Sequence, residues 1–374
     1  MLAIKVKPEV HYFDTTAAFN EVFNINEDDV LVTNEWMYDP YIKPLNLKCN
    51  VIFQEKYGMS EPSDEMIDGI YEEMKKYNPK RVIALGGGTI IDICKTLALD
   101  IPGKSYELFP PASTVEPKKV RELICIPSTC GTGSEVSKSI VVEIKSKNIK
   151  TAIAVEDTYA DYAVLIPEVL KGLPYKVFSM SSVDALIHCI EAFLAPKASP
   201  GTDLFAMEGI KLIMDGYKLL TDKGLDARFD YYKEFLYGSC YGGLAFSVTG
   251  VAAIHALSYS IGAAFHVPHG ESNYVFFTEV MKLYNSKKPD GKIKTLSDIL
   301  ADSMGISRDA DVFEELDKFL SNLIEKKPLK EYGTTEAQID EFTTSTRVNQ
   351  QRILVNNYVE FTDEEIRSIF VNLY

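Results

Sequence analysis

Arg81-Val-Ile-Ala-Leu85 is a strand-like stretch, apolar from Val82 onward, that ends in Gly86-Gly-Gly88 and passes directly into Thr89-Ile-Ile-Asp92-Ile-Cys-Lys95, a segment with helical spacing. A strand buried on both faces reads as such a run, so this unit commits its part of the chain to a parallel α/β architecture. Where strand, glycine turn and helix start meet, backbone N–H groups and the helix dipole converge with no side chain in the way. A pyrophosphate fits such a site. The pattern is not GxGxxG, since Ile91 stands where the last glycine would be, and it is not the Walker loop GxxxxGK[ST]. Three glycines also make a plain tight turn, and this motif alone leaves both readings open.

The flanking sequence extends the pattern. Asp29-Val-Leu-Val-Thr33 reads as a buried strand closed by a turn at Asn34-Glu35, and Asn50 to Phe53 as the next strand. Residues 1 to 27 alternate only weakly; His11 among them reads as a surface or strand residue. Ser63 caps a helix expected to run to about Tyr77. Leu123-Ile-Cys-Ile126 leads into Pro127-Ser-Thr-Cys-Gly131-Thr-Gly133-Ser-Glu135, a polar cradle for phosphate, ribose or nicotinamide amide, or else a solvated loop. Two such turns in one α/β domain favour a nucleotide, because doubly wound sheets bind ligands at the carboxyl ends of their strands. A hairpin over Ser139 to Ile144 and Thr151 to Val155, then a last strand over Ala163 to Ile166, complete this half.

After Pro167 and Pro174 the texture changes to long segments of helical spacing: Asp203 to Leu220, Tyr231 to Ala245, Asn273 to Tyr284 and Phe313 to Ile324. At 374 residues the chain exceeds the usual single domain. The expected organisation is therefore an α/β dinucleotide-binding domain with a parallel sheet over 1–174, and an all-α metal- and substrate-binding domain over 175–374. The active site is expected in the cleft between them. Ser286 to Lys292 reads as an exposed loop and Glu325 to Lys330 as a charged helix end, neither basic run calling for a partner.

The helical half holds four of the five histidines. In Ser182-Val-Asp184-Ala-Leu-Ile-His188 the i, i+4 spacing puts a carboxylate and an imidazole on one helix face. His255 and His269 would stand about 20 Å apart on a continuous helix, too far to share an ion. The chain must fold back between them, and Gly262, Pro268 and Gly270 are the residue types that allow it. Each stretch alone also fits satisfied core histidines. Together they read as a metal site of Asp184, His188, His255 and His269, a donor set suited to Fe(II) or Zn(II), with Tyr259 and His266 left for other work.

Composition narrows the partners. A formal net charge of -15 argues against nucleic acid and anionic membranes, which rely on clustered Lys and Arg. The six cysteines form no CxxC pair, and the N-terminal Met-Leu-Ala-Ile-Lys-Val-Lys-Pro has no long apolar core, so a reducing cytoplasm is expected. No run of consecutive apolar residues reaches membrane-span length, so no integral membrane segment is expected.

These motifs resemble the iron-containing, or group III, alcohol dehydrogenases, along nearly the whole chain. Gly86-Gly-Gly-Thr-x-x-Asp92-x-x-Lys95 is similar to that family's GGGSxxDxxK, Pro127 to Glu135 to its PTTxGTGSE, and His255 to Gly270 to its paired-histidine signature ending in PHG. The resemblance implies a dehydroquinate synthase-like architecture, an α/β nucleotide domain followed by a helical one, with iron on Asp184, His188, His255 and His269. It implies NAD(P) contacts at Asn34, Gly86, Gly87, Gly88, Thr89, Asp92, Ser128, Thr129, Thr132, Ser134 and Lys150. Tyr259 stands where many members carry a further active-site histidine, which leaves Tyr259 and His266 as candidate catalytic groups. Asn34 stands where NAD-preferring members often have an aspartate; Glu35 beside it and the lack of a nearby Arg favour NAD, with NADP open.

Within the family, Phe53-Gln-Glu-Lys-Tyr-Gly58, His255-Ala-Leu-Ser-Tyr259, Pro268-His-Gly-Glu-Ser-Asn273 and Gln350 to Tyr358 look like the subgroup that interconverts 4-hydroxybutyrate and succinate semialdehyde. The expected reaction is reversible hydride transfer to a nicotinamide, with the metal as Lewis acid. The substrate carboxylate needs a clamp from His266, Arg352 or Tyr259, although Arg352 also fits a surface ion pair. A butanol- or propanediol-type alcohol is the alternative substrate. A dehydroquinate synthase-like lyase, a metal-dependent hydrolase and a nucleotide sensor with a structural metal are the alternatives from other classes. The family suggests a homodimer.

Overall fold

The computed structural model describes residues 4–374; the first three residues of the N-terminal stretch lie outside the described residues. Two compact units are present, Val6–Leu173 and Pro174–Tyr374, the second joined by Ile4 and Lys5.

The first unit runs β1 (Glu9–Tyr12), α1 (Thr16–Phe23), β2 (Asp29–Thr33), α2 (Glu35–Tyr41), β3 (Asn50–Phe53), α3 (Asp64–Met74), β4 (Arg81–Gly86), α4 (Gly88–Leu97), β5 (Glu122–Pro127), β6 (Ser139–Ile144), β7 (Ile149–Ala154) and β8 (Tyr162–Leu165). Six strands form one sheet in the order β1-β8-β5-β4-β2-β3, every pair parallel. β2 is buried along its whole length and β4 along nearly all of it, which is why both read as unbroken apolar runs. Val30, Val82, Ala84, Ile67, Ile93 and Leu97 build the core between sheet and helices. β6 and β7 form a separate antiparallel hairpin. Asp29 and Arg81 tie β2 to β4 through two hydrogen bonds, Nε to Oδ1 at 2.8 Å and Nη2 to Oδ2 at 2.7 Å.

Several local expectations change. The weakly alternating start is ordered: β1 carries His11 into a cluster with Phe23 and Tyr162, and Thr15 caps α1, accepting from Ala18 N at 3.2 Å. Only Thr16 and Phe19 of α1 are buried, too few for the pattern to show. Asn34-Glu35 is the start of α2 rather than a turn, because the Asn34 carbonyl accepts from Met37 N and Tyr38 N. Ser63 caps α3 as expected, accepting from Met66 N, but the helix stops at Met74, with Asn78 in the left-handed region closing the turn. Gly88 is the first residue of α4, and the turn proper is shorter than the three glycines suggest.

The second unit is entirely helical among its described residues: α5 (Tyr175–Leu194), α6 (Pro200–Lys223), α7 (Tyr232–Thr249), α8 (Ala253–Phe265), α9 (His269–Lys287), α10 (Lys292–Met304), α11 (Val312–Ser321), α12 (Glu336–Asn349), α13 (Gln351–Leu354) and α14 (Asp363–Leu373), with short 3₁₀ turns between some of them. α5 is the hub, packed against α6, α7 and α9. By length and a mean hydropathy of 1.4 it could cross a membrane, although Ser179, Asp184, His188 and Glu191 break any continuous apolar run, as expected from the sequence. It is a core helix here, with 89% of its most apolar stretch buried.

Lysines in both basic runs have partners inside this unit. Lys287 ends α9 and meets Glu365 at 2.6 Å; Lys292 starts α10 and meets Asp203 at 2.6 Å. The expected loop therefore shrinks to the residues between two helices. Nor is Glu325 to Lys330 a helix end: α11 stops at Ser321, and Lys326 crosses to Asp317 at 2.7 Å and Thr278 at 2.8 Å.

Candidate metal centre and nucleotide cradle

α5 presents Asp184 and His188 on one face, α8 presents His255, and His269 is the first residue of α9. Each offers one ligand atom, and the four atoms all lie within 4.8 Å of one another. His188 Nε2 lies 3.0 Å from His255 Nε2. Asp184 Oδ1 lies 3.8 Å from His255 Nε2 and 3.7 Å from His269 Nε2.

The reversal that brings His255 and His269 together differs from expectation. Gly262 stays inside α8 and Gly270 inside α9; the break falls at His266, which takes the left-handed conformation at φ 54, and at Pro268, which precedes α9. Gly270 serves another purpose. A Cβ there would sit 2.2 Å from the Met180 carbonyl oxygen of α5, so glycine alone lets the start of α9 come close enough for His269 to reach Asp184.

Two residues outside the sequence candidates hold these four side chains in place. Glu191, fully buried on α5, accepts from Ala252 N and Ile254 N at 2.7 Å each, and its Oε2 lies 2.7 Å from His255 Nδ1. One carboxylate thus ends the free N–H groups at the start of α8 and orients the first histidine on it. Asn273, one turn after His269, donates from Nδ2 to Asp184 Oδ1 at 2.8 Å and lies 3.2 Å from His269 Nε2. Spacing carries a signal for both: Glu191 is seven residues after Asp184 and Asn273 four after His269, each on its ligand's helix face.

The electrostatics suit a cation. With its Nδ1–H given to Glu191, His255 turns a bare Nε2 toward His188 and Asp184, so lone pairs and a carboxylate converge on one point. Burial, with His188 and His269 nearby, holds the His255 imidazole well below its ordinary value, so it is neutral and able to ligate. Burial pushes the Asp184 carboxyl up, but His188, His269, His255 and the Asn273 amide outweigh it and hold it below its ordinary value. Burial pushes Glu191 up to about 7 against the pull of the Ala252 and Ile254 amides. The residues present fit a divalent metal.

Tyr259 lies one turn beyond His255 on α8 and is half-buried, while His266 is exposed at the end of that helix. Arg352 is exposed on α13, which packs against α8.

In the sheet unit the two glycine-bearing turns leave adjacent strands side by side: Gly86 pairs with Pro127, and Ser128 N donates to Gly86 O at 2.9 Å. They interlock so closely that a Cβ at Gly88 would lie 2.9 Å from Thr132 Cγ2. Gly87, Gly88, Thr89, Thr129 and Thr132 are half-buried around this point, and the first N–H groups of α4 have no acceptor within the helix. Ser128 is buried. Asp92 and Ser134 face inward: Ser134 Oγ donates to Asp92 Oδ1 at 2.6 Å, Lys95 Nζ donates to Ser134 Oγ at 2.7 Å, and Val141 N donates to Asp92 Oδ2 at 2.9 Å. They brace the cradle from behind. Lys150 is exposed on β7, 2.6 Å from Glu61. Asn34 is buried at the end of β2, its amide donating to Gln54 Oε1 and Glu55 Oε2.

Residues 15–167 match the iron-containing alcohol dehydrogenase family and residues 178–374 its C-terminal domain. The chain belongs to this family. The 4-hydroxybutyrate dehydrogenase of Clostridium kluyveri is 46% identical to it over 100% of both chains, and the NADPH-dependent butanol dehydrogenase of Clostridium saccharobutylicum is 29% identical over 84% of this chain and 81% of that one. The fold is shared with a sulfoacetaldehyde reductase from Bifidobacterium kashiwanohense solved with NAD+, at a TM-score of 0.83 and 21% identity over 100% of this chain and 99% of that one.

Proposed function

We propose that this protein is a metal- and NAD-dependent dehydrogenase interconverting 4-hydroxybutyrate and succinate semialdehyde, with Asp184, His188, His255 and His269 as its metal ligands. The observation that carries the reading is the convergence of those four ligand atoms within 4.8 Å, in a chain 46% identical from end to end to an enzyme named for this reaction. Iron held by Asp184, His188, His255 and His269 would supply Lewis acidity toward the alcohol oxygen, and a nicotinamide held at the glycine turns would supply the hydride acceptor. The chain's own groups do the rest. Glu191 fixes which nitrogen of His255 faces the site, Asn273 holds Asp184 and His269 in register, and burial keeps His255 unprotonated. Tyr259, on the His255 face of α8, is the hydroxyl we assign to hold the substrate proton, and His266 and Arg352 are the groups we assign to the distal carboxylate. The interlocked turns after β4 and β5, with Thr89, Thr129 and Thr132 at their rim, take the pyrophosphate and nicotinamide.

The test is anaerobic NADH formation by iron-loaded protein with 4-hydroxybutyrate, run beside 1-butanol and a His269→Ala variant. Turnover of the hydroxy acid that disappears in the variant is expected. Turnover of butanol alone would discard the substrate, and no NADH from either would discard the reaction.

A further inference from the structure

The glycine turn leaves the carboxyl end of β4, and β2 pairs with β4 on the side away from β5. In a doubly wound sheet a dinucleotide lays its pyrophosphate on the helix after the glycine strand. The neighbouring strand then brings an acidic side chain to the adenosine ribose, where it accepts from the hydroxyls and repels a 2′-phosphate. Here that strand is β2, and the residue after it is the neutral Asn34.

The charge arrives from the next strand over. Glu55 lies in the 3₁₀ turn that directly follows β3. Its Oε2 accepts from Asn34 Nδ2 at 2.9 Å and its Oε1 accepts from Glu35 N at 2.6 Å, so both oxygens are drawn to the end of β2. Asn34 is buried and its amide also reaches Gln54 Oε1 at 3.0 Å, which fixes the direction of its N–H bonds. Glu55 itself stays half-exposed. A carboxylate has about four acceptor positions, so one donor on each oxygen leaves room for two ribose hydroxyls. Asn34 is therefore a holder, and the acid it holds comes from twenty-one residues downstream.

We propose that Glu55 is the residue that makes this chain prefer NAD over NADP, accepting the ribose hydroxyls and excluding the 2′-phosphate, with Asn34 and the Glu35 amide as its mount. The proposal rests on the dinucleotide reading of the sheet unit and adds to it the residue that chooses between the two cofactors. Glu35 is exposed and carries its side chain on α2; its contribution here is its backbone N–H.

The test is binding rather than turnover: NADH and NADPH are titrated by their own fluorescence into iron-loaded wild type, Glu55→Gln and Asn34→Ala. Wild type is expected to bind NADH the more tightly. In Glu55→Gln the ratio of the two dissociation constants should fall by about tenfold or more, the scale of one charge-assisted hydrogen bond. Asn34→Ala keeps the carboxylate but removes its mount, and the ratio should fall there too, which guards against a folding defect in the first variant. Wild type favouring NADPH, or a ratio unchanged in both variants while both cofactors still bind, would overturn the assignment. Failure of wild type to bind either cofactor would instead bring down the dinucleotide reading, and this proposal with it.

Discussion

Glu191 stands behind the proposed metal ligands. It accepts two backbone N–H groups at the start of α8 and faces the ring nitrogen of His255 that points away from the site. Replacing it by Gln keeps the size but substitutes a neutral amide for the group that sets the His255 tautomer. Glu191→Gln should weaken iron binding by roughly tenfold to a hundredfold, the range seen when a partner behind a ligand is lost. Competition with a chelator reads this directly, and an unchanged affinity would reduce Glu191 to a helix cap. That Asp184, His188, His255 and His269 belong together was legible in the sequence, because four of the five histidines fall in two short apolar segments, although each segment alone also fits core histidines. Glu191 and Asn273 are not legible in the same way, although they repeat on the helix faces of Asp184 and His269, since a buried carboxylate or amide is recognised only when its partners are in view. Asn34 stands out in the sequence for the charge it lacks; its hydrogen bond to Glu55 joins two strand ends that spacing does not bring together.

At the scale of elements, the sheet strands and most long helices follow from apolar runs and periodicity, while the joints do not. The reversal between α8 and α9 falls on His266, a residue type that enters the left-handed region less readily than glycine, whereas the glycines nearby remain helical. Gly270 is there for proximity: its missing side chain leaves room for the Met180 carbonyl. Gly270→Ala places a methyl against backbone, which cannot swing away, so α9 must shift and take His269 with it. The variant should lose about 1–3 kcal/mol of stability and bind iron less tightly, measured by thermal unfolding with and without added metal. Full stability with a full complement of iron would show that the close approach of α5 and α9 is dispensable. The opening residues illustrate the opposite limit: α1 has only Thr16 and Phe19 buried, and so little periodicity that its cap is a better signal than its pattern.

At the scale of the whole molecule, the proposed nucleotide cradle lies in the sheet unit, Val6–Leu173, and the four converging side chains proposed as metal ligands lie in the helical unit, Pro174–Tyr374. The division is visible in the sequence as a change from short strand-and-turn units to long helical segments. The most direct measurement is iron content and NADH formation from 4-hydroxybutyrate in the same anaerobic samples, across wild type and the single variants Asp184→Ala, His188→Ala, His255→Ala and His269→Ala. About one iron per wild-type chain is expected, and in each variant a loss of iron and of turnover together. Variants that lose their iron and still oxidise the hydroxy acid at the wild-type rate would contradict it.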